Sequence, residues 1–242
     1  MKTLTKYLNE RLVIFPSQVD EKHVVNQRFD EKLIINKDYN DPYTCVPSSW
    51  EELRKIIDDR YNKLGPGTKD IPIDFNDVDV SNIDSFYNKN ISTGIFEETK
   101  FEYIDISDWN VSNVKDMHNM FFLCKELKSI GDISNWDVSN AKDISYMFSY
   151  CYNLKSVGDL SDWNVSNVKY MDDMFRECVL LESIGDLSNW NVSNVENISR
   201  MFYNCKQLKS VGDLSNWNVS NVKYMNNTFK ESRITNIPKW YM

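Results

Sequence analysis

Hydrophobic and polar positions repeat through most of this chain with a fixed period, the interval from Trp109 to Trp136. Each unit reads W-[ND]-V-S-N-[VA]-x-x-[MI]-x-x-M-F-x-x-C-x-x-L-x-S-[IV]-G-D-[IL]-S-[ND], with small departures in the last one. A fixed period of this length is typical of a solenoid, in which each unit buries its apolar face against its neighbours. The units are marked by Trp109, Trp136, Trp163, Trp190 and Trp217.

Two local patterns alternate within a unit and predict one strand and one helix per coil. Leu127, Ile130 and Ile133 form a short strand pattern, with Gly131 at a position that suits a bulge. After the tryptophan, the Ser-Asn pair has helix-capping residue types, and apolar residues then recur at helical spacing. The predicted fold is α/β, a leucine-rich-repeat-like solenoid with a short strand plus a helix in each coil. A purely helical repeat is the weaker alternative, because Gly and Asp interrupt every unit at the same place.

Three regions are expected: an irregular extension over 1–48, a capping helix and linker over 49–70, and the solenoid over 71–242. Ser49, followed three residues later by Glu52, resembles a capping box that starts the helix. Such a helix would shield the first coil of the solenoid from water. The extension is interpreted as a poorly ordered leader, as a strap along the solenoid, or as a docking tag through which a homo-oligomer could form.

The terminal units depart from the repeat, as capping units do. Ile73 aligns with Ile104, but Val78 stands where later units have Trp, and the opening unit has four extra residues around 87–100. At the other end, Pro238 cannot continue strand pairing. We therefore expect the array to be closed at both ends.

Composition narrows the class of protein. The formal net charge is −8 and the isoelectric point is near 4.9, which argues against a nucleic-acid partner. The first residues have no unbroken apolar segment and no small-residue cleavage site, so no signal peptide is predicted. No apolar run approaches the ~20 residues that a membrane span needs, so no membrane association is predicted. The expected location is the cytoplasm or a virion, and a surface location would need a non-classical route.

Four of the five cysteines occupy the same place in successive units and would form one column. Coils stacked at roughly 4.8 Å would bring these thiols within bridging distance. The odd total and the missing secretion signal argue against disulfides, and no CxxC pair or nearby histidine indicates a metal. We predict buried structural thiols at Cys124, Cys151, Cys178 and Cys205.

Catalytic chemistry is not indicated. The two histidines are His23 in the extension and His118 at an expected exposed helical position, too few for a triad or a histidine-rich metal cluster. A column of aspartates could suggest calcium or acid–base chemistry, but a column repeats one environment, whereas catalytic carboxylate pairs need two. We expect each Asp to accept backbone N–H groups of its own turn. The sequence therefore predicts no enzyme, no cofactor and no metal site, and the column comprises Asp74, Asp105, Asp132, Asp159, Asp186 and Asp213.

The residues around each Cys differ between units, although the repeat fold does not require them to differ. These positions carry aromatic and apolar residues that would stack into a stripe, and exposed patches of that kind often mark interfaces. The stripe is the predicted partner-binding site, occupied either by another protein or by residues 1–48 of the same chain. Its predicted residues are Phe122, Leu123, Tyr150, Tyr152, Val179, Leu180 and Tyr203.

The W-[ND]-V-S-N-V-x-x-M-x-x-M-F-x-x-C-x-x-L-x-S phrase resembles the BspA-like leucine-rich repeats of bacterial surface proteins, mycoplasma lipoproteins and some protist and phage proteins. The resemblance covers about residues 71–237. It implies a leucine-rich-repeat solenoid without catalytic activity that acts in adhesion or protein binding. This chain shows no signal peptide, lipobox cysteine or wall anchor, which favours an intracellular or virion setting.

Repeat pattern and resemblance together predict a non-catalytic solenoid for protein–protein interaction, of the binding or adhesion type. The partner is expected to be a protein of unknown identity. The alternative is a structural or accessory component of a phage particle, with residues 1–48 as its docking tag.

Overall fold

The computed structural model describes residues 45–242, so most of the predicted extension, including His23, lies outside the described residues. Helix α1 spans Trp50–Leu64. Four two-residue strands follow: β1 at Ile73–Asp74, β2 at Tyr87–Asn88, β3 at Thr93–Gly94 and β4 at Ile104–Asp105. Short 3₁₀ helices lie at Leu214–Asn216 and Lys239–Tyr241.

Successive coils stack in parallel, as the repeat predicts. Strand β1 pairs with β4 in the register that places Ile73 opposite Ile104, which confirms the alignment of the opening unit with the later ones. Its four extra residues are taken up around an antiparallel hairpin of β2 and β3. Pairing begins before α1, because Cys45 forms a parallel bridge with Val78.

The helix predicted in each coil is wrong. Within residues 45–242, α1 is the only α-helix. The segment after each tryptophan instead consists of consecutive β-turns, with N–H···O bonds from Met120 to Met117 and from Cys124 to Phe121. The third residue of each turn has a left-handed backbone, which a right-handed helix cannot contain. These residues are Asn119 and Leu123, then Tyr146 and Tyr150, Asp173 and Glu177, Arg200 and Asn204, and Asn227 and Glu231.

We call these stretches the turn segments: residues 116–124, 143–151, 170–178, 197–205 and 224–232. In the first four segments, alternate N–H groups do not bond within the coil but reach the next one. Met117 donates to the carbonyl of Asp143 at 2.8 Å, and Phe121 donates to that of Met147 at 2.8 Å. A helix would consume these donors internally. The turns leave them free to join one coil to the next.

Side-chain columns also bond each coil to the preceding one. Trp136 Nε1 donates to the carbonyl of Ile106 at 3.3 Å, and Cys151 Sγ donates to that of Phe121 at 3.1 Å. Asn140 Nδ2 reaches a serine carbonyl of the preceding coil at 2.8 Å. The same bonds recur in the following coils, so the recurring Trp, Cys and Asn of the repeat each bond a coil to the one before it.

Helix α1 closes the first coil, as predicted. The Ser49 side chain accepts the N–H of Glu52 at 3.2 Å, and Gly65 ends the helix with φ of 73°. Leu53 and Ile57 are completely buried against the solenoid. Helix α1 therefore covers the apolar face of the first coil.

At the other end, a further tryptophan closes the column. Trp240 stacks on Trp217, with ring centroids 6.2 Å apart and planes within 9°. Its Nε1 donates to the carbonyl of Leu214 at 2.7 Å, the bond that every tryptophan of the repeat makes. Trp240 follows Trp217 by fewer residues than one repeat period, so the period alone does not predict that Trp240 continues the column.

The Gly-Asp pair of each unit fits tightly against the preceding coil. Gly158 has φ of +94°, and a Cβ there would lie 2.0 Å from Asp132 Oδ1. That oxygen accepts the N–H of Ser134 at 3.0 Å. The same bond recurs at the later aspartates, which confirms that the column caps its own turns.

We expect Gly158→Ala to destabilise the protein by roughly 2–5 kcal/mol, because a left-handed L-residue costs about 1–2 kcal/mol and overpacking about 1–3 kcal/mol. Denaturant unfolding measures the change. Gly65→Ala is the matched control, since its φ is +73° but nothing lies within 4 Å of the added Cβ. Equal losses in the two variants would show that the contact with Asp132 contributes nothing.

Candidate functional site

The predicted stripe lies along the turn segments and the two residues that follow each Cys. All seven predicted residues are half-buried, so each is packed on one side and reaches solvent on the other. Successive coils stack here through parallel bridges, including those that join Asp116, Asp143, Tyr170 and Asn197 in order. Equivalent positions of successive turn segments are therefore neighbours on the surface.

Four aromatic residues of the stripe form a connected row. The rings of Phe122 and Tyr150 lie 5.8 Å apart, and those of Tyr150 and Tyr152 lie 6.0 Å apart, in edge-on geometry. The Arg176 guanidinium lies over Tyr150 at 4.9 Å and over Tyr203 at 5.7 Å, which links the row to the fourth coil. Leu123, Val179 and Leu180 are half-buried residues at neighbouring positions.

A buried carboxylate holds the arginines beside this row. Asp173 is completely buried and accepts from Arg200 Nε and Nη2, both at 2.8 Å. Arg176 Nη1 lies 3.3 Å from the same carboxylate. The Asp173 carboxylate thus fixes both guanidinium groups, so the positive charge of Arg176 lies at a defined position within the aromatic row.

Three carboxylates on successive coils form an acidic patch beside the stripe: Asp116, Asp143 and Asp172. His118 borders the patch, with its Nδ1 2.7 Å from Ser145 Oγ and 3.8 Å from Asp143 Oδ1. Its ring lies 5.5 Å from that of Tyr146, edge-on. The exposed helical position predicted for His118 is wrong: the residue is half-buried in a turn, because the segment that carries it is not a helix.

Burial and mutual repulsion perturb the acidic patch. Burial, opposed by a backbone hydrogen bond and reinforced by the charges of Asp173 and Asp143, raises the pKa of Asp172 to about 6. Burial and the nearby Asp143 raise the pKa of Asp116 as well. For His118, burial lowers the pKa, but the nearby carboxylate of Asp143 outweighs this effect and raises the pKa. Asp172 therefore changes its charge near pH 6.

Sequence reasoning missed Tyr146 and Arg176, which complete the surface. Tyr146 packs edge-on against Phe122 with centroids 6.0 Å apart, and Arg176 joins two tyrosines of the stripe. Both occupy variable positions of the repeat. Variation at positions a few residues before the Cys was the available signal, but the predicted helix would have spread these side chains over different faces.

The cysteine column lies in the core and offers no reactive group. All five cysteines lie among the described residues, where each is buried and none forms a disulfide. Burial raises the pKa of Cys178 well above its ordinary value, and burial together with the neighbouring Cys124 does the same for Cys151. The predicted structural thiols are therefore confirmed.

Metal sites and membrane spans have no counterpart in the part of the chain that the structure describes. Among residues 45–242, no group of three or more His, Cys, Asp or Glu is arranged to hold a metal ion. Nor does the described part contain a helix with the length and apolarity to cross a membrane.

Stacked coils, turn segments and terminal caps define a solenoid repeat protein. The chain belongs to the family described as Mycoplasma protein of unknown function, DUF285, whose model matches residues 70–158 and 131–240. Among solved structures, it is similar to a leucine-rich repeat protein from Eubacterium ventriosum ATCC 27560, with 20% identity and a TM-score of 0.39. That similarity covers 61% of this chain and 36% of the other chain. No curated protein matches the chain.

We expect Asp172→Asn to stabilise the protein at pH 7 by about 1–2 kcal/mol, after discounting the full shift for partial solvent exposure. The pKa of Asp172 is raised to about 6 from 3.8, so the folded state binds this proton more tightly than the unfolded state. Its carboxylate therefore costs stability as the pH rises from about 4 to 6. Thermal unfolding at pH 4 and pH 7 measures the difference, which should vanish at pH 4.

The control for this substitution is Asp162→Asn, at an exposed residue outside the turn segments, which should change stability little at either pH. A loss of stability at pH 7 in Asp172→Asn would contradict the prediction. It would show that attraction to His118 outweighs burial and repulsion.

We expect the thiols of the folded protein to resist a disulfide reagent such as Ellman's, because a buried thiol is neither accessible nor ionised. In denaturant, all five cysteines should react. Counting the released chromophore under both conditions checks this. Rapid labelling of even one thiol under native conditions would place it at the surface, contrary to the buried column.

Proposed function

We propose that this protein is a non-catalytic protein–protein interaction module and that the stripe on its turn segments contacts the partner. We include Tyr146 and Arg176 in the stripe from here on. The composition of this surface is typical of the core of a protein–protein interface, where aromatic residues and arginine are enriched. A rigid solenoid supplies the scaffold for such a surface.

The observation that carries the proposal is the placement of aromatic residues where the fold does not need them. The core of each coil is filled by other columns, which include Trp136, Phe148 and Cys151 and are almost completely buried. Tyr150 and Tyr152 flank that cysteine, yet both are half-buried. Their rings therefore remain free to lose more exposed area when a partner binds.

The arrangement of charge favours binding of a specific partner over non-specific hydrophobic binding. Arg176 is held by Asp173 in the middle of the row, and the acidic patch lies at its side. An interface with an aromatic centre and a charged border excludes partners that place like charges opposite it. Along the stack, four coils at roughly 4.8 Å each give a row about 15–20 Å long.

Resemblance to the BspA-like repeats points the same way, since proteins with those repeats act in adhesion or protein binding. The family to which the chain belongs is described without a function. The proposal therefore rests on the geometry of the turn segments, with the resemblance as support.

The test is a triple substitution, Tyr150→Ser, Tyr152→Ser and Tyr203→Ser. Partners are captured with the full chain by cross-linking in an extract of the native host and are then purified. We expect the triple variant to bind such a partner at least 30-fold more weakly, because hot-spot aromatic residues contribute about 2 kcal/mol or more each. Calorimetry or surface plasmon resonance measures the affinity.

Tyr103→Ser is the matched control, because Tyr103 is also half-buried but lies on the strand side, bridged to Ser129. It should leave the affinity unchanged. A thermal unfolding curve of each variant separates lost binding from lost folding. If the triple variant is folded and binds every captured partner as tightly as the native chain, the proposal fails.

A further inference from the structure

From the second residue of each turn segment onward, the backbone hydrogen bonds between coils run in one direction, whereas a first residue such as Tyr224 donates back to the preceding coil, to the carbonyl of Glu196 at 3.3 Å. In each junction, N–H groups of alternate residues donate toward the C-terminal neighbour, and carbonyls accept from the N-terminal one. In the last junction, Ile198, Arg200, Phe202 and Asn204 donate to the carbonyls of Tyr224, Asn226, Thr228 and Lys230 at 2.9 to 3.0 Å. The stack consequently has an acceptor edge at its first coil and a donor edge at its last coil.

Helix α1 covers the acceptor edge. Arg54 Nη1 donates to the carbonyl of Ile95 at 3.2 Å, and Ile95 stands where Met120 of the next coil accepts from Phe96. Trp50 Nε1 donates to the carbonyl of Phe86 at 3.2 Å, a residue whose own N–H donates to the next coil. Helix α1 thus closes the apolar core of the first coil and satisfies one carbonyl of its edge.

The donor edge lacks an equivalent closure. Met225, Asn227, Phe229 and Glu231 stand one repeat after the four donors of the last junction. Within residues 45–242, none of their N–H groups has an acceptor. Trp240 and Tyr241 pack on the ring of Phe229, at 6.4 and 5.1 Å between centroids, but they supply no acceptor to this row.

Exposure along this edge differs from that of the inner coils. Tyr224 is 58% exposed, and Asn227 and Glu231 are exposed. Met225 is half-buried, whereas the equivalent residue is fully buried in the inner coils, as at Ile198. An edge with unpaired backbone donors and a partly open apolar residue is a template for another chain.

We propose that residues 224–231, the donor edge, dock a segment of another polypeptide that adds to the stack as a further coil. The segment lies parallel to residues 224–231, and its carbonyls at alternate residues accept the four N–H groups. This is backbone augmentation of the kind seen at sheet edges, here on a row of turns. An apolar side chain of the segment covers Met225.

Backbone polarity excludes a second copy of this chain as the occupant. Two donor edges placed face to face would oppose N–H to N–H. The acceptor edge of a second copy is already covered by its own α1, whose Leu53 and Ile57 are completely buried in the core and whose Arg54 donates to the carbonyl of Ile95. We take the occupant to be a segment of a different polypeptide, with residues that tolerate a left-handed backbone, such as Gly or Asn, opposite Asn227 and Glu231.

The test uses the full chain and a synthetic peptide with the sequence of residues 195–206, which carries the acceptor carbonyls of an inner coil. Hydrogen exchange of assigned amides is followed by NMR. In the free chain, we expect the amides of Met225, Asn227 and Glu231 to exchange at least 100-fold faster than those of Ile198, Arg200 and Asn204. Saturating peptide should slow them at least 10-fold, and a scrambled peptide should not.

Met225→Pro removes one donor of the row, and Met225→Ala, its matched control, removes the side chain but keeps the N–H. We expect the proline variant to bind the peptide about five-fold more weakly than the alanine variant, the effect of about one hydrogen bond. Thermal midpoints confirm that both variants fold.

Two results would overturn the proposal. Slow exchange of the edge amides in the free full chain would show that the chain already pairs this edge by itself. Equal slowing by the native and the scrambled peptide, or by neither, would show that the edge does not select an added coil. Slowing confined to other amides would place the peptide elsewhere and has the same consequence.

Discussion

The hydrogen bonds that pass from each turn segment to the next coil are the constraint on which the rest of the structure depends. Because Met117, Phe121 and their equivalents donate outward, the segment cannot be helical, and every coil needs a neighbour to satisfy its backbone. A neighbour in register also aligns the indole, thiol and amide columns with carbonyls of the coil before. The fixed length of the repeat is what brings all of these groups into line at once.

The recurring residues of the repeat make most of the contacts between coils, and its variable positions make few. Trp, Phe, Cys and the Asn of the Ser-Asn pair bond or pack between coils, and the Gly-Asp pair fits against the coil before. Residues such as Tyr150, Tyr152 and Arg176 lie outside these columns and pack on one another at the surface, so the repeat does not fix their identity. It is on this variable surface that we propose a partner binds.

The sequence was sufficient for the solenoid, the capping helix and the buried columns, because each depends on periodic side chains that bury apolar area. It was misleading for the turn segments. Apolar residues at Met117, Met120 and Cys124 are spaced three or four apart in consecutive turns as well as in a helix, so the spacing does not distinguish them. Left-handed Asn119 is an ordinary turn residue, but left-handed Leu123, Tyr146 and Arg200 carry no local signal. Their conformation is imposed by the neighbouring coils, and so is the position of Tyr146 and Arg176 in the stripe.

The narrow range of sequence separations between bonded coils has a kinetic consequence. Trp163 bonds to the carbonyl of Ile133 in the coil before it, and Met171 bonds to the carbonyl of Asn197 in the coil after it. No junction among the described coils needs distant parts of the chain to meet, so the loop that closes at each step has the same modest entropy cost. Folding of such a chain can proceed as a zipper, in which α1 and the first coil form a nucleus and each further coil is added to a template already in place. Its rate would then depend on that single nucleus and only weakly on the number of repeats.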